Sequence, residues 1–128
     1  WLNDNSMTTR KEINQLSRAI IGFAIEVHKE LGPGLLESVY EKCLTHLLIL
    51  NGYNVEDNKT FSELVNNQII VELKTVEELL PIHEAQLLTY LKLLKKPKGI
   101  LINFNCLNIF KEGQLTFVTE HFRNLPEE

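Results

Sequence analysis

The stretch 69-IIVELKTVE-77 decides the fold and poses the functional question. Ile69, Ile70, Val71 and Leu73 are β-branched or aliphatic, the composition of a strand covered on both faces. Glu72 and Lys74 interrupt that run, and charges are depleted in such strands because burying an unpaired one is costly. Side chains alternate along a strand, so Ile70, Glu72, Lys74 and Val76 share one face. At about 3.3 Å per residue the two charged residues are roughly 6–7 Å apart along the strand. Such a pair belongs at the strand's end, beside a cleft. Two readings of it stand at this point. One is an ion pair at a sheet edge; the other is a carboxylate that holds Mg2+ beside a lysine that orients water and neutralises developing charge.

Working outward, Asn66-Asn67 is a turn signal before this strand, which is predicted over Gln68–Val76. Phe61–Val65 and a short piece around Tyr53–Val55 are further strand candidates, separated by the polar stretch Glu56–Thr60. Towards the N-terminus, Ile13, Leu16, Ile20, Phe23, Ala24, Val27 and Leu31 form a helical stripe, ended by Gly32-Pro33-Gly34. A second helix is predicted from Leu35 to Leu50, closed by Asn51-Gly52. Beyond the central strand, Pro81 can open a third helix running from Ile82 to Lys95. Gly99–Phe104 and, after a turn at Glu112-Gly113, Leu115–Thr119 complete the strands. The order ααβ(β)βαββ describes an α/β chain with a mixed sheet and helices packed on it.

The 128 residues are 44% hydrophobic and 23% charged, as expected of one globular domain. No apolar run approaches the roughly 20 residues needed to cross a bilayer, and no secretory layout opens the chain. Met7 reads as the natural start, which makes residues 1–6 an upstream remnant; residues 1–9 are taken as an N-terminal extension and 10–125 as the domain. Cys43 and Cys106 lie far apart among apolar neighbours and read as small core residues in a reducing, cytoplasmic compartment. His28, His46, His83 and His121 show no zinc-ligand spacing. A net charge of −4 offers no overall basic footprint. Lys92, Lys95, Lys96 and Lys98 read as a solvated helix end favoured by the helix dipole, or as a local basic patch.

Two further places look anomalous. In 34-GLLESVY-40, Glu37 projects with Leu44 and Leu48 and lies beside Tyr40, which puts an acid on the core-facing stripe. Either it meets a cation or metal site at the sheet, or it bends to water at a helix start favoured by the dipole. In 83-HEAQLLTY-90, His83, Gln86 and Tyr90 share a stripe separate from Leu87, Leu91 and Leu94. Gln86 and Tyr90, at i and i+4, can reach across a cleft together.

Together G-x-x-E-x-x-Y (Gly34, Glu37, Tyr40), E-x-K (Glu72, Lys74) and Q-x-x-x-Y (Gln86, Tyr90) resemble the GxxExxY family of the PD-(D/E)XK nuclease superfamily. The resemblance runs from about residue 10 to Phe104 and extends to 25-IEVHKELGPGLLESVYE-41 and 71-VELKTVEELLPIHEAQLLTYL-91. It implies a restriction-endonuclease-like mixed sheet flanked by helices. It also implies a hydrolase that cuts DNA or RNA with Mg2+ or Mn2+; a homodimer or a larger assembly is a further expectation. Glu72 would be a metal ligand, Lys74 the catalytic lysine, and Glu37, Gln86 and Tyr90 would join the same centre.

The superfamily also places an aspartate on the preceding strand. Family members read approximately D-L-L-V there, whereas 62-SELV-65 puts Ser62 at that position, and serine is a poor metal ligand beside a carboxylate. Glu63 is the alternative ligand. A two-residue turn at Asn66-Asn67 would pair Glu63 with Ile70, on the Glu72 face; a three-residue turn would set Ser62 opposite Glu72 instead. The segment 56-EDNKTF-61 is also short for the strand material of relatives, as though one hairpin were missing. These departures motivate a second expectation: a catalytically degenerate nuclease fold that binds nucleic acid or serves protein assembly.

Overall fold

The computed structural model describes residues 8–57 and 62–128. The first residues of the expected N-terminal extension and most of the short segment before Ser62 therefore lie outside the described residues. The element order is α1 (Arg10–Leu31), α2 (Glu37–Leu50), β1 (Val55–Asp57), β2 (Ser62–Val65), β3 (Ile69–Lys74) and α3 (Pro81–Leu94). It continues through β4 (Lys98–Asn103), the short α4 (Ile109–Glu112), β5 (Gln114–Val118) and the short α5 (Glu120–Arg123).

The apolar stripe read in the sequence becomes the buried side of α1, with Ile13, Ile20, Ala24 and Val27 in the core. Thr9 starts the helix with a capping box: its hydroxyl accepts from the Glu12 backbone N–H at 3.1 Å, and the Glu12 carboxylate accepts from Thr9 N–H at 2.9 Å. Gly32 and Gly34 take φ of 70° and 96° in the turn to α2, a conformation glycine adopts without steric cost.

The five strands lie in sequence order, β1-β2-β3-β4-β5. β3 and β4 are parallel, and all other neighbours are antiparallel. A parallel pair needs a crossover, and α3 supplies it. Alternation along the strands then divides the core in two. Val71, Leu73, Ile100 and Ile102 pack under α1 and α2, while Ile70 and Leu101 pack under Leu87 and Leu91 of α3. Gly99 lets α3 approach closely, because a Cβ there would lie 2.9 Å from a Leu91 methyl. The result is a mixed α/β sheet with helices on both faces, as expected.

Several boundaries differ from the reading of the sequence. β3 stops at Lys74 rather than Val76, because Val76 turns away to hydrogen-bond Asn103. The four-residue helices α4 and α5 were not anticipated; each is too short to show an apolar period. The lysine cluster does not form one patch. Lys98 is buried and donates to Asn14 Oδ1 at 3.0 Å, and Lys96 donates to the Asn67 carbonyl and side chain. Both cysteines are free thiols at the margin of the core.

The turn between β2 and β3 decides which acid meets which. Asn66 and Asn67 both adopt positive φ, 50° and 59°, and Gln68 completes a three-residue connection. Val65 therefore pairs with Ile69, and Ser62 stands opposite Glu72. Glu63 pairs with Val71 and faces α2, on the other side of the sheet. The expectation that Glu63 joins Glu72 as a metal ligand is corrected by this register. A shift of one residue moves a side chain to the opposite face.

Candidate active site

Glu72 and Lys74 end β3 on the α3 face, where α3 stands away from the sheet. With Gln86 and Tyr90 they line a cavity of about 460 Å3, joined by Ile82, Ala85 and Thr89. Glu72 is buried and Lys74 half-buried, and Lys74 Nζ lies 3.9 Å from Glu72 Oε2. That distance is an ion pair without a hydrogen bond, and Oε2 has no hydrogen-bonding partner among the described residues. Burial pushes the Glu72 carboxyl above its ordinary range; the Lys74 ammonium pulls it back, and the Glu37 charge pushes it up again.

Glu37 belongs to the first turn of α2 and is half-buried. Its Oε1 accepts from Thr75 N–H at 3.1 Å and from Thr75 Oγ1 at 3.4 Å, just past the end of β3. It does not line the cavity, but its charge reaches Glu72. Tyr40, one turn later on the same helix, is fully buried. Its ring stacks on Phe104 at 4.4 Å, and its hydroxyl donates to the Gly32 carbonyl while accepting from Leu35 N–H at 3.1 Å. Tyr40 thus clamps the loop that sets where Glu37 begins its helix.

His83 leaves the polar stripe of α3, since its Nδ1 accepts from Leu80 N–H at 2.9 Å at the helix start. Gln86 and Tyr90 remain, both exposed towards the cavity. Asn103 was missed in the sequence. Buried at the end of β4 beside Lys74, it accepts from Val76 N–H and Asn105 N–H and donates to the Val76 carbonyl. It holds the chain leaving β3, on which Lys74 depends.

An orphaned, buried carboxylate oxygen at a cavity wall is what a divalent cation would complete, and Glu72 Oε2 fits that description. Ser62, across the strands from Glu72, offers only a neutral hydroxyl.

A mixed sheet carrying a carboxylate–lysine pair at the end of its central strand defines a hydrolase-type fold of the restriction-endonuclease kind. The family model of the PD-(D/E)XK nuclease superfamily matches residues 14–115, and the chain belongs to that superfamily, whose members generally use divalent metal ions. The comparisons with curated proteins and with solved structures gave no match.

Proposed function

We propose that this chain is a divalent-cation-dependent nuclease of the GxxExxY kind, hydrolysing phosphodiester bonds of DNA or RNA. The observation that carries the reading is the Oε2 of buried Glu72, without a hydrogen bond among the described residues and 3.9 Å from Lys74 Nζ, at the wall of a cavity that Gln86 and Tyr90 also line.

Glu72 would hold Mg2+ or Mn2+, which lowers the pKa of bound water and neutralises charge on the scissile phosphate. Lys74 sets a fixed positive charge beside that position. It orients the attacking water and offsets the negative charge that builds up on the phosphate oxygens. Glu37 holds the backbone just after Lys74 through Thr75 and adds negative charge that favours a cation at Glu72. Gln86 and Tyr90 provide neutral hydrogen-bonding groups for the nucleic-acid backbone.

The test is cleavage of supercoiled DNA and of single-stranded RNA with Mg2+ or Mn2+. Glu72→Gln and Lys74→Ala are expected to abolish it while circular dichroism shows the fold intact. Full activity in both variants rejects the assignment.

One observation favours a second reading, a catalytically degenerate fold that binds nucleic acid without cutting it: Ser62, not an acid, stands opposite Glu72. Nucleic-acid binding without cleavage at any divalent-cation concentration would select it.

A further inference from the structure

The two edges of the sheet are built differently. β1 closes one side with three residues, of which Glu56 and Asp57 are acidic. A short strand carrying like charges blunts an edge against further pairing. β5 closes the other side with 114-QLTFV-118, which holds no charge, no proline and no glycine. Its register against β4 runs one to one from Lys98↔Val118 to Ile102↔Gln114, so no bulge twists it away. Leu115, Thr116 and Val118 are exposed. None of the usual protections of an edge strand is present on β5.

Hydrogen bonds at its two ends fix which backbone groups are free. Asn103 N–H donates to the Gly113 carbonyl at 2.8 Å, and Thr119 N–H donates to the Pro97 carbonyl at 3.0 Å. Bonded pairs alternate along an antiparallel ladder, so Leu115 and Phe117 bond inward to β4. Gln114, Thr116 and Val118 therefore turn their backbone groups outward, where no neighbour bonds to them among the described residues.

These free groups complement themselves. Two copies of β5, antiparallel about a twofold axis at Thr116, set Gln114 opposite the partner's Val118 and Thr116 opposite its own counterpart. Each such pair exchanges two hydrogen bonds, and every outward N–H meets an outward carbonyl. On the α3 face, Leu115 then falls opposite the partner's Phe117. Phe117 already packs on the core under α3, and Leu115 shares that face through its pairing with Leu101. Aliphatic–aromatic pairs of this kind, and the threonine pair on the axis, stabilise adjoining strands. The neutral strand gives a second copy nothing to repel it, whereas self-pairing of β1 would set acid against acid.

We propose that β5 is the interface of a symmetric homodimer, in which two five-stranded sheets join edge to edge. A second copy is the occupant because self-pairing about Thr116 uses every free group of the strand, and the acidic β1 edges stop growth at two. The twofold axis stands perpendicular to the joined sheet, so both Glu72 cavities open on the same side of it.

Sedimentation equilibrium over a micromolar concentration series is expected to give twice the 14.8 kDa of one chain. Residue-resolved amide exchange locates the contact. The N–H groups of Gln114, Thr116 and Val118 should be protected in the dimer and lose protection on dilution, while those of Leu115 and Phe117 stay protected. Thr116→Pro removes an outward donor at a place where an edge strand tolerates proline. Loss of the two central hydrogen bonds should weaken association by about tenfold or more. Thr116→Lys, at an exposed position, sets like charges opposite each other across the axis and should also weaken it. Glu56→Gln, on the other edge, should leave the dimer as it is. A monomer at every concentration overturns the proposal, as does a dimer that both Thr116 variants leave intact. Free exchange of the three outward amides within a dimer overturns it too. Should Thr116→Pro fail to fold, Thr116→Lys decides alone.

Discussion

Glu72 and Glu63 stand on adjacent strands, each 3% exposed, on opposite faces of one sheet. Burial raises the pKa of both carboxyls, yet their company differs. Glu72 has an ammonium 3.9 Å away and opens on a cavity with neutral hydrogen-bonding groups. Glu63 has two more carboxylates and a threonine. The same desolvation therefore leads to different chemistry. A carboxylate beside a fixed cation has its negative charge favoured by that cation against the cost of burial, which suits a reacting centre. A carboxylate among carboxylates instead holds a proton more tightly, as the rise of Glu63 to about 8 records.

The largest expected effect breaks this symmetry outright. Glu72→Gln should lower divalent-dependent cleavage by at least about 100-fold, the scale on which one preorganised charge-stabilising group acts. Glu63→Gln, measured under the same saturating Mg2+ or Mn2+, should stay within a few-fold of the parent. Equal losses in a plasmid-nicking time course would mean that the two faces are not functionally distinct.

The next effect comes from adding an acid rather than removing one. Ser62 faces Glu72 across the strands, so Ser62→Asp places a carboxylate beside Oε2. Mg2+ affinity should rise about tenfold or more, and cleavage with it. In the metal-free state the same variant should be less stable than the parent, since two buried carboxylates repel, and Mg2+ should restore its melting temperature. A variant whose stability ignores Mg2+ would show that position 62 does not look into the cation site.

A third prediction uses pH on the metal-free chain. The Glu63 carboxyl has an ordinary value of 4.5 and is raised to about 8 in the fold. Between those values the native state keeps a proton that the unfolded chain releases. Stability should therefore be fully present below about 4.5, fall as pH rises towards about 8, and level off beyond. Urea unfolding at a series of pH values should show the slope in the parent and a shallower one in Glu63→Gln. An identical profile in both would separate Glu63 from the pH dependence.

The difference between these two acids was only half legible in the sequence. The charged pair in 69-IIVELK-74 was visible because alternation in an apolar strand leaves no ordinary place for it. α1 and α3 likewise follow from period and length. Glu63 could not be assigned to a face, because the connection at Asn66-Asn67 admits two lengths, and one residue of slip exchanges the faces of the whole strand. The three-residue form brought Ser62, not Glu63, to Glu72. Asn103 was invisible for another reason: it works by bonding the backbone at Val76, and no periodicity marks a residue that caps a strand's exit. The Glu41–Asp57–Glu63 group joins three elements by tertiary packing, which no local pattern records.

The smallest prediction concerns how Glu37 is held, and so how sharply the Glu72 face is built. Tyr40→Phe keeps the stacking on Phe104 but removes the hydroxyl that bridges the Gly32 carbonyl and Leu35 N–H. Water can reach the half-exposed loop, so the stability loss should be only about 1 kcal/mol, the net worth of a typical hydrogen bond. The consequence for cleavage is indirect. A loosened Gly32–Leu35 turn lets the first turn of α2 drift, and with it the Glu37 carboxylate that holds Thr75 after Lys74. Activity should fall a few-fold in Tyr40→Phe, by more in Glu37→Gln, and no further when the two are combined, because both act through one contact. Additive losses in the double variant would mean that Tyr40 serves the core alone, and that Glu37 keeps its place without it.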